Sequence, residues 1–138
     1  MKLLIEADGG SRGNPGPAGY GAVVCDAGSG EVLVECSEGI GVATNNVAEY
    51  GGLIAGLRAA LELGGPGTDV DVRMDSKLVV EQMSGRWKIK HPAMQPLAME
   101  AGKLVNQLGS VRFTWIPRAE NTRADRLANL AMDAQAAR

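Results

Sequence analysis

The chain opens on Leu3, Leu4 and Ile5, followed by Glu6, Ala7 and Asp8, and the run over residues 2–7 predicts a short strand ending at Asp8. The Gly/Pro-dense stretch Gly9–Gly19 predicts a break in regular structure. Tyr20–Asp26 and Glu31–Ile40 are rich in β-branched residues and are joined by Ala27-Gly28-Ser29-Gly30, the signature of a hairpin. Closing that hairpin about Gly28–Ser29 sets Cys25 opposite Val32. It leaves Cys36 several residues out of register, beyond the roughly 7 Å Cα separation that a disulfide tolerates. Thr44 or Asn45 caps a helix running to about Leu63, with Tyr50, Ile54, Leu57 and Leu61 at helical spacing, and Gly64-Gly65-Pro66-Gly67 stops it.

Asp69–Met74 alternates acidic and apolar residues and predicts a fourth strand, and Ser76–Met83 a short helix capped by Ser76. His91-Pro92 opens a further helix through about Leu108, with Leu97, Leu104, Val105 and Leu108 as its apolar stripe. Val111–Ile116 is the last strand, and Asn121 or Thr122 caps a final helix carrying Leu127, Leu130 and Ala131. A hairpin followed by alternating helices and strands implies an α/β fold with a mixed sheet, antiparallel on one side and parallel on the other. Right-handed crossovers place the fourth strand beside the first. The connection reverses direction there, and in open α/β sheets sites form at the carboxyl ends of strands at such a switch point. Asp8 ends the first strand and Asp75 the fourth.

With 138 residues, 45% hydrophobic and 22% charged, the chain suits one domain over residues 1–138. Aromatics at 4% exclude a single-strand binder built on stacking, and a net charge of −2 argues against a nonspecific electrostatic binder. That net value hides a gradient. Residues 1–72 hold 3 basic and 10 acidic side chains, whereas residues 73–138 hold 11 and 6. The apolar start is too short for a signal peptide, and no run of about 18 apolar residues exists, which predicts a cytoplasmic protein with two free thiols and no membrane partner. The Cys and His residues form no metal-binding cluster.

Two strand-end aspartates side by side cannot both stay ionised without compensation: either one holds a proton or a cation lies between them. Glu49, early in the long helix, and Asp125, in the first turn of the last, fall at suggestive places. An all-oxygen cluster suits Mg²⁺ or Mn²⁺ rather than Zn²⁺, and a pair of such ions about 3.5–4 Å apart serves in-line phosphoryl displacement. Taken singly, Asp125 also suits a helix dipole and Asp75 the residue before a capped helix.

Four stretches carry a family resemblance: Ala7–Pro17, Thr44-Asn45-Asn46-Val47-Ala48-Glu49-Tyr50, Met74-Asp75-Ser76 and Trp115–Asp125. Together they span nearly the whole chain, and the sequence resembles a type I ribonuclease H. The resemblance implies a ribonuclease H-like fold whose five-stranded mixed sheet runs 3-2-1-4-5, flanked by helices. It implies hydrolysis of the RNA strand of an RNA–DNA hybrid, with Asp8, Glu49, Asp75 and Asp125 holding two Mg²⁺, for which Mn²⁺ can substitute, and with 5′-phosphate and 3′-hydroxyl products. By the same analogy Ser11, Gly13, Asn14, Asn45 and Asn46 line the RNA strand, where the 2′-hydroxyl distinguishes RNA from DNA. Thr44 and Asn14 lie near a DNA phosphate, and Ser76 and Lys77 complete the contacts.

The chain departs from the family pattern in three places. The basic handle that many members carry is compressed to Gly85–Pro92, with Trp87 either against the DNA strand or in the core. Pro117–Arg123 lacks the family's histidine, leaving Arg118 or Glu120 in that loop, and His91 starts a helix or rims the substrate. Lys77 replaces a common amide. Glu6 shares strand parity with Asp8 and either joins the site or pairs with a nearby cation. A hybrid-binding module without cleavage and a DNA-cutting nuclease of the same fold are the alternatives. The expected assembly is a monomer, and the Ala-rich end, residues 131–138, is expected to lead into a linker where a further C-terminal domain is fused.

Overall fold

Alternating apolar residues draw Lys2–Ser11 (β1), Gly16–Asp26 (β2) and Val32–Ala43 (β3) into an antiparallel meander. Asn45–Gly64 (α1) follows, then Asp69–Met74 (β4), Lys77–Met83 (α2), Gln95–Gln107 (α3), Val111–Trp115 (β5), a 3-10 turn over Arg118–Glu120, and Thr122–Ala136 (α4). This computed structural model describes residues 1–136. The sheet runs β3-β2-β1-β4-β5, with β1 parallel to β4 and β4 parallel to β5, the order expected above.

Leu3, Ile5 and Ala7 send their side chains to the α1 face, into a cluster with Leu53, Leu57, Val72 and Met74. Each of these fully buried Leu, Ile, Val and Met side chains contributes about 1.5–3 kcal/mol. On the opposite face Leu4 joins Val23, Cys25 and Leu127, so Glu6 and Asp8, of the same parity, also face α4. Both cysteines are free, and Cys25 pairs across the hairpin with Val32. No helix among the described residues is long and apolar enough to cross a membrane.

Several boundaries differ from the sequence reading. The Gly/Pro stretch is extended over most of its length: Gly9, Gly10 and Ser11 pair with Tyr20, Gly19 and Ala18, and only Arg12–Pro15 leaves the ladder. The third strand runs past Ile40 to Ala43, because a bulge absorbs Ile40 and Gly41 takes a positive φ of 78° before pairing resumes. The helix expected from His91-Pro92 begins at Gln95, with Pro96 in its first turn, and residues 92–94 form a turn. Leu108 lies just past its end, and Leu130 of α4 is 51% exposed rather than part of a buried stripe. The Ala-rich end is helical to Ala136, and residues 137 and 138 lie outside the described residues.

Candidate active site

Four elements deliver four carboxylates to one cleft of about 420 Å³. Asp8 lies on β1, Glu49 in the second turn of α1, Asp75 directly after β4 and Asp125 in the first turn of α4. Glycine makes the convergence possible. A Cβ at Gly9 would collide with the backbone of Ala48 and Glu49, and one at Gly52 would sit 2.7 Å from the Asp8 carbonyl. Side chains at these positions would push α1, and Glu49 with it, away from the strand end.

The cleft is electrostatically uncompensated. Burial, reinforced by Asp75, by a contact with Asp125 and by Glu49, pushes the Asp8 carboxyl up to about 8. Glu49 is pushed up to about 7, by burial first and then by Asp75, with Ser76 acting in the opposite sense. The cations on the rim relieve little of this. Arg12 is committed to Asp133 at 2.7 Å and Asn129 at 3.4 Å, and Arg118 reaches only Asp125, at 3.5 Å. Among the described residues no group of three or more acidic, His or Cys side chains is drawn close enough together to hold an ion as it stands. The donor set nonetheless suits a hard divalent cation: four carboxylates face one cleft, all oxygen, with excess negative charge.

Ser11, Asn45 and Ser76 line the same cleft. The Ser11 hydroxyl lies within hydrogen-bonding reach of three carbonyl oxygens, those of Gly13 and Gly16 in its own loop and that of Ala43 at the end of β3, and its N–H donates to Asn45 Oδ1 at 2.7 Å. Asn45 in turn gives its N–H to Asn14 Oδ1 at 3.1 Å. The carbonyl oxygens of both side-chain amides are thus used internally, and both NH₂ groups point away from those bonds. Thr44 is the residue that caps α1, accepting from Val47 at 3.3 Å, and Ser76 caps α2, accepting from Val79 at 3.2 Å. Asn14, Thr44 and Asn46 line a second groove of about 410 Å³ with Pro15, Val42 and His91.

Gly13, Lys77 and Trp87 line neither cleft. Lys77 is exposed at the start of α2, and Trp87, 45% exposed, is outside the core. Glu6 is buried and pairs with Arg123 at 2.9 Å rather than joining the cleft. His91 accepts from the Ala93 N–H at 3.1 Å, ahead of α3.

Sequence reasoning missed two partners of Asp75. The Trp115 indole N–H donates to the Asp75 main-chain carbonyl at 3.2 Å. Asn121, expected to cap α4, directs its amide to the Ala7 carbonyl and Asp75 Oδ1 instead. Both residues fall in the Trp115–Asp125 stretch, but no local pattern announces a contact to a strand some 40 residues earlier.

A family model described as reverse transcriptase-like matches residues 6–131. The bifunctional protein Rv2228c of Mycobacterium tuberculosis is 63% identical over 99% of the chain, which spans 37% of that protein's length. Ribonuclease HI of Halobacterium salinarum is 44% identical over 91% of the chain and 62% of its own length. The chain thus spans under two thirds of these relatives. Among solved structures, the N-terminal RNase H domain of Rv2228c superposes with a TM-score of 0.95 at 62% identity, covering 99% of this chain and 96% of that one. LC11-RNase H1 in complex with an RNA/DNA hybrid superposes with a TM-score of 0.90 at 41% identity, covering 96% and 97%.

Proposed function

The chain belongs to the reverse transcriptase-like, ribonuclease H family, and from that premise we propose that it is a metal-dependent endonuclease cutting the RNA strand of RNA–DNA hybrids. Asp8, Glu49, Asp75 and Asp125 would hold two Mg²⁺, or Mn²⁺ in their place. When bound, such a pair supplies activation of the attacking water and stabilisation of the leaving 3′ oxygen, which leaves 5′-phosphate and 3′-hydroxyl ends. The observation that carries this reading is one cleft lined by four carboxylates with too little positive charge around them.

The chain's own residues do the selecting. Asn14 and Asn45 use their amide oxygens internally and keep NH₂ donors, and with Asn46, Thr44 and the Ser11–Gly13 backbone they offer partners to a 2′-hydroxyl or a phosphate without reading bases. Lys77, exposed at the start of α2, and Trp87, exposed beyond its end, are assigned to the backbone of the hybrid.

A uniformly labelled hybrid, a DNA duplex and a single-stranded RNA, each titrated with Mg²⁺ and Mn²⁺, test the proposal. Cleavage confined to the RNA strand of the hybrid and dependent on added metal is expected. Cutting of the DNA duplex would point to the DNA-cutting alternative. Tight hybrid binding without cleavage in either metal would point to a binding module, a reading the histidine-free Pro117–Arg123 loop keeps worth testing.

A further inference from the structure

Asn121 is wholly buried where β1, β4 and α4 meet. Its side-chain Nδ2 donates to the Ala7 carbonyl at 2.9 Å and to Asp75 Oδ1 at 3.0 Å. Its main-chain carbonyl accepts the Asp125 N–H at 3.1 Å as α4 begins. One residue therefore touches the chain neighbour of Asp8, the carboxylate of Asp75 and the backbone of Asp125.

The amide is held in this orientation at a cost. Asn121 Oδ1 is the one buried side-chain polar atom among the described residues that lacks a hydrogen-bond partner, and an unmade bond in the interior is unfavourable. Turning the amide over would set that oxygen against two acceptors, so the fold tolerates the orphan and keeps the NH₂ toward Ala7 and Asp75. A side chain with one donor cannot span both acceptors, and a cation would neutralise the carboxylate it orients. Asp75 is also gripped through its main-chain carbonyl by the Trp115 indole at 3.2 Å.

The geometry points to Asn121 as a positioning residue that fixes the Asp75 carboxylate relative to Asp8 and Asp125 for divalent-cation binding, an assignment that rests on the four-carboxylate reading above. It acts through Asp75, so its effect on metal binding must vanish when Asp75 cannot respond. Partners that orient a ligating side chain typically change metal affinity about 10–100-fold when removed.

The test is a double-mutant cycle read by Mn²⁺ calorimetry on the parent, Asn121→Ala, Asp75→Asn and the double variant, with hybrid cleavage and circular-dichroism melts in parallel. Asn121→Ala is expected to weaken Mn²⁺ binding about 10-fold or more and to raise by the same factor the metal concentration for half-maximal cleavage, with KM for the hybrid unchanged. In the Asp75→Asn background the substitution costs no further affinity. Should Asn121→Ala be unfolded at the assay temperature, Asn121→Ser, which keeps one donor, carries the same cycle. Parent-like affinity, or an equal loss in both backgrounds, overturns the inference and leaves the carboxylate reading standing. If Asp75→Asn itself binds and cleaves like the parent, the carboxylate reading fails first and the role of Asn121 goes with it.

Discussion

The Arg123 guanidinium lies 2.9 Å from the Glu6 carboxylate, tying β1 to the first turn of α4 two residues away from Asp8 on one side and from Asp125 on the other. The Glu6 side chain is only 11% exposed and that of Arg123 41%, so the pair sits between a surface bridge and a buried one. Removing the arginine strands a nearly buried carboxylate, which is the costly half of breaking such a pair. Arg123→Ala is expected to lower the unfolding free energy by about 2 kcal/mol. Arg126→Ala, whose partner Glu35 lies 3.3 Å away with both side chains well exposed, should cost under about 0.5 kcal/mol. Urea midpoints at unchanged m-value separate the two, and equal shifts would refute the distinction.

Stability without metal should fall as pH rises. Asp8 and Glu49 have ordinary values of 3.8 and 4.5 and folded values of about 8 and about 7. A carboxyl with a raised value binds its proton more tightly when folded, so folding is favoured below the ordinary value. That advantage is lost as pH climbs through the folded value. Melting midpoints in a chelator should therefore decline between about pH 4 and 8. Mg²⁺ should restore them most at the alkaline end, since it binds the ionised cluster of the folded state. Asp8→Asn should flatten the decline and raise the midpoint at pH 8; a flat profile in the parent would contradict the uncompensated cleft.

The path of the chain was largely readable from sequence, because the strands and helices declare themselves through period and the crossover rules place the fourth strand beside the first, while the full order 3-2-1-4-5 is what the ribonuclease H resemblance implies. Glycine was where local reading misled. Gly9 and Gly10 look like loop residues, yet they pair in β1, and Gly9 is small because α1 packs against it. Composition cannot distinguish a glycine that turns the chain from one that admits a neighbouring backbone. The helix start expected at His91-Pro92 was misplaced as well: it is Pro96 that lies in the first turn of α3. The four carboxylates were legible through the stretches that carry them, yet the expected strand end at Asp8 lies inside β1, which runs on to Ser11, and Glu49 stands in the second turn of α1, while Asp75 does follow β4 and Asp125 does open α4. Asn121 was not legible, since a buried amide and a helix cap have the same local sequence and only the tertiary fold shows which partner it takes.

Asp75→Asn preserves the shape of the side chain and removes its charge from the centre of the cleft. The variant should lose hybrid cleavage by about 10³-fold or more, in keeping with the several kcal/mol that metal-assisted charge stabilisation supplies. Its melting midpoint in a chelator should hold or rise, because like-charge repulsion on Asp8 and Glu49 is relieved. Undiminished Mg²⁺-dependent cleavage would remove Asp75 from the site.

Lysines rather than arginines should carry the electrostatic part of hybrid binding. Arg86 in the shortened handle is held by Glu81 through two bonds, of 2.6 and 2.9 Å. Lys77, Lys88 and Lys90 have no ion-pair partner among the described residues and remain available to phosphates. Each lysine that neutralises a phosphate releases counterions, so its loss should reduce the slope of log affinity against log salt by about 0.7–0.9. Arg86→Ala should leave that slope unchanged, since its charge is already paired. Fluorescence anisotropy of a labelled hybrid on the Asp75→Asn protein, taken across a salt series with Lys88→Ala, Lys90→Ala and Arg86→Ala added singly, measures the slopes without cleavage. An Arg86→Ala drop as large as that of Lys88→Ala would mean the Glu81 pair opens on binding and that the arginine, too, reaches the hybrid.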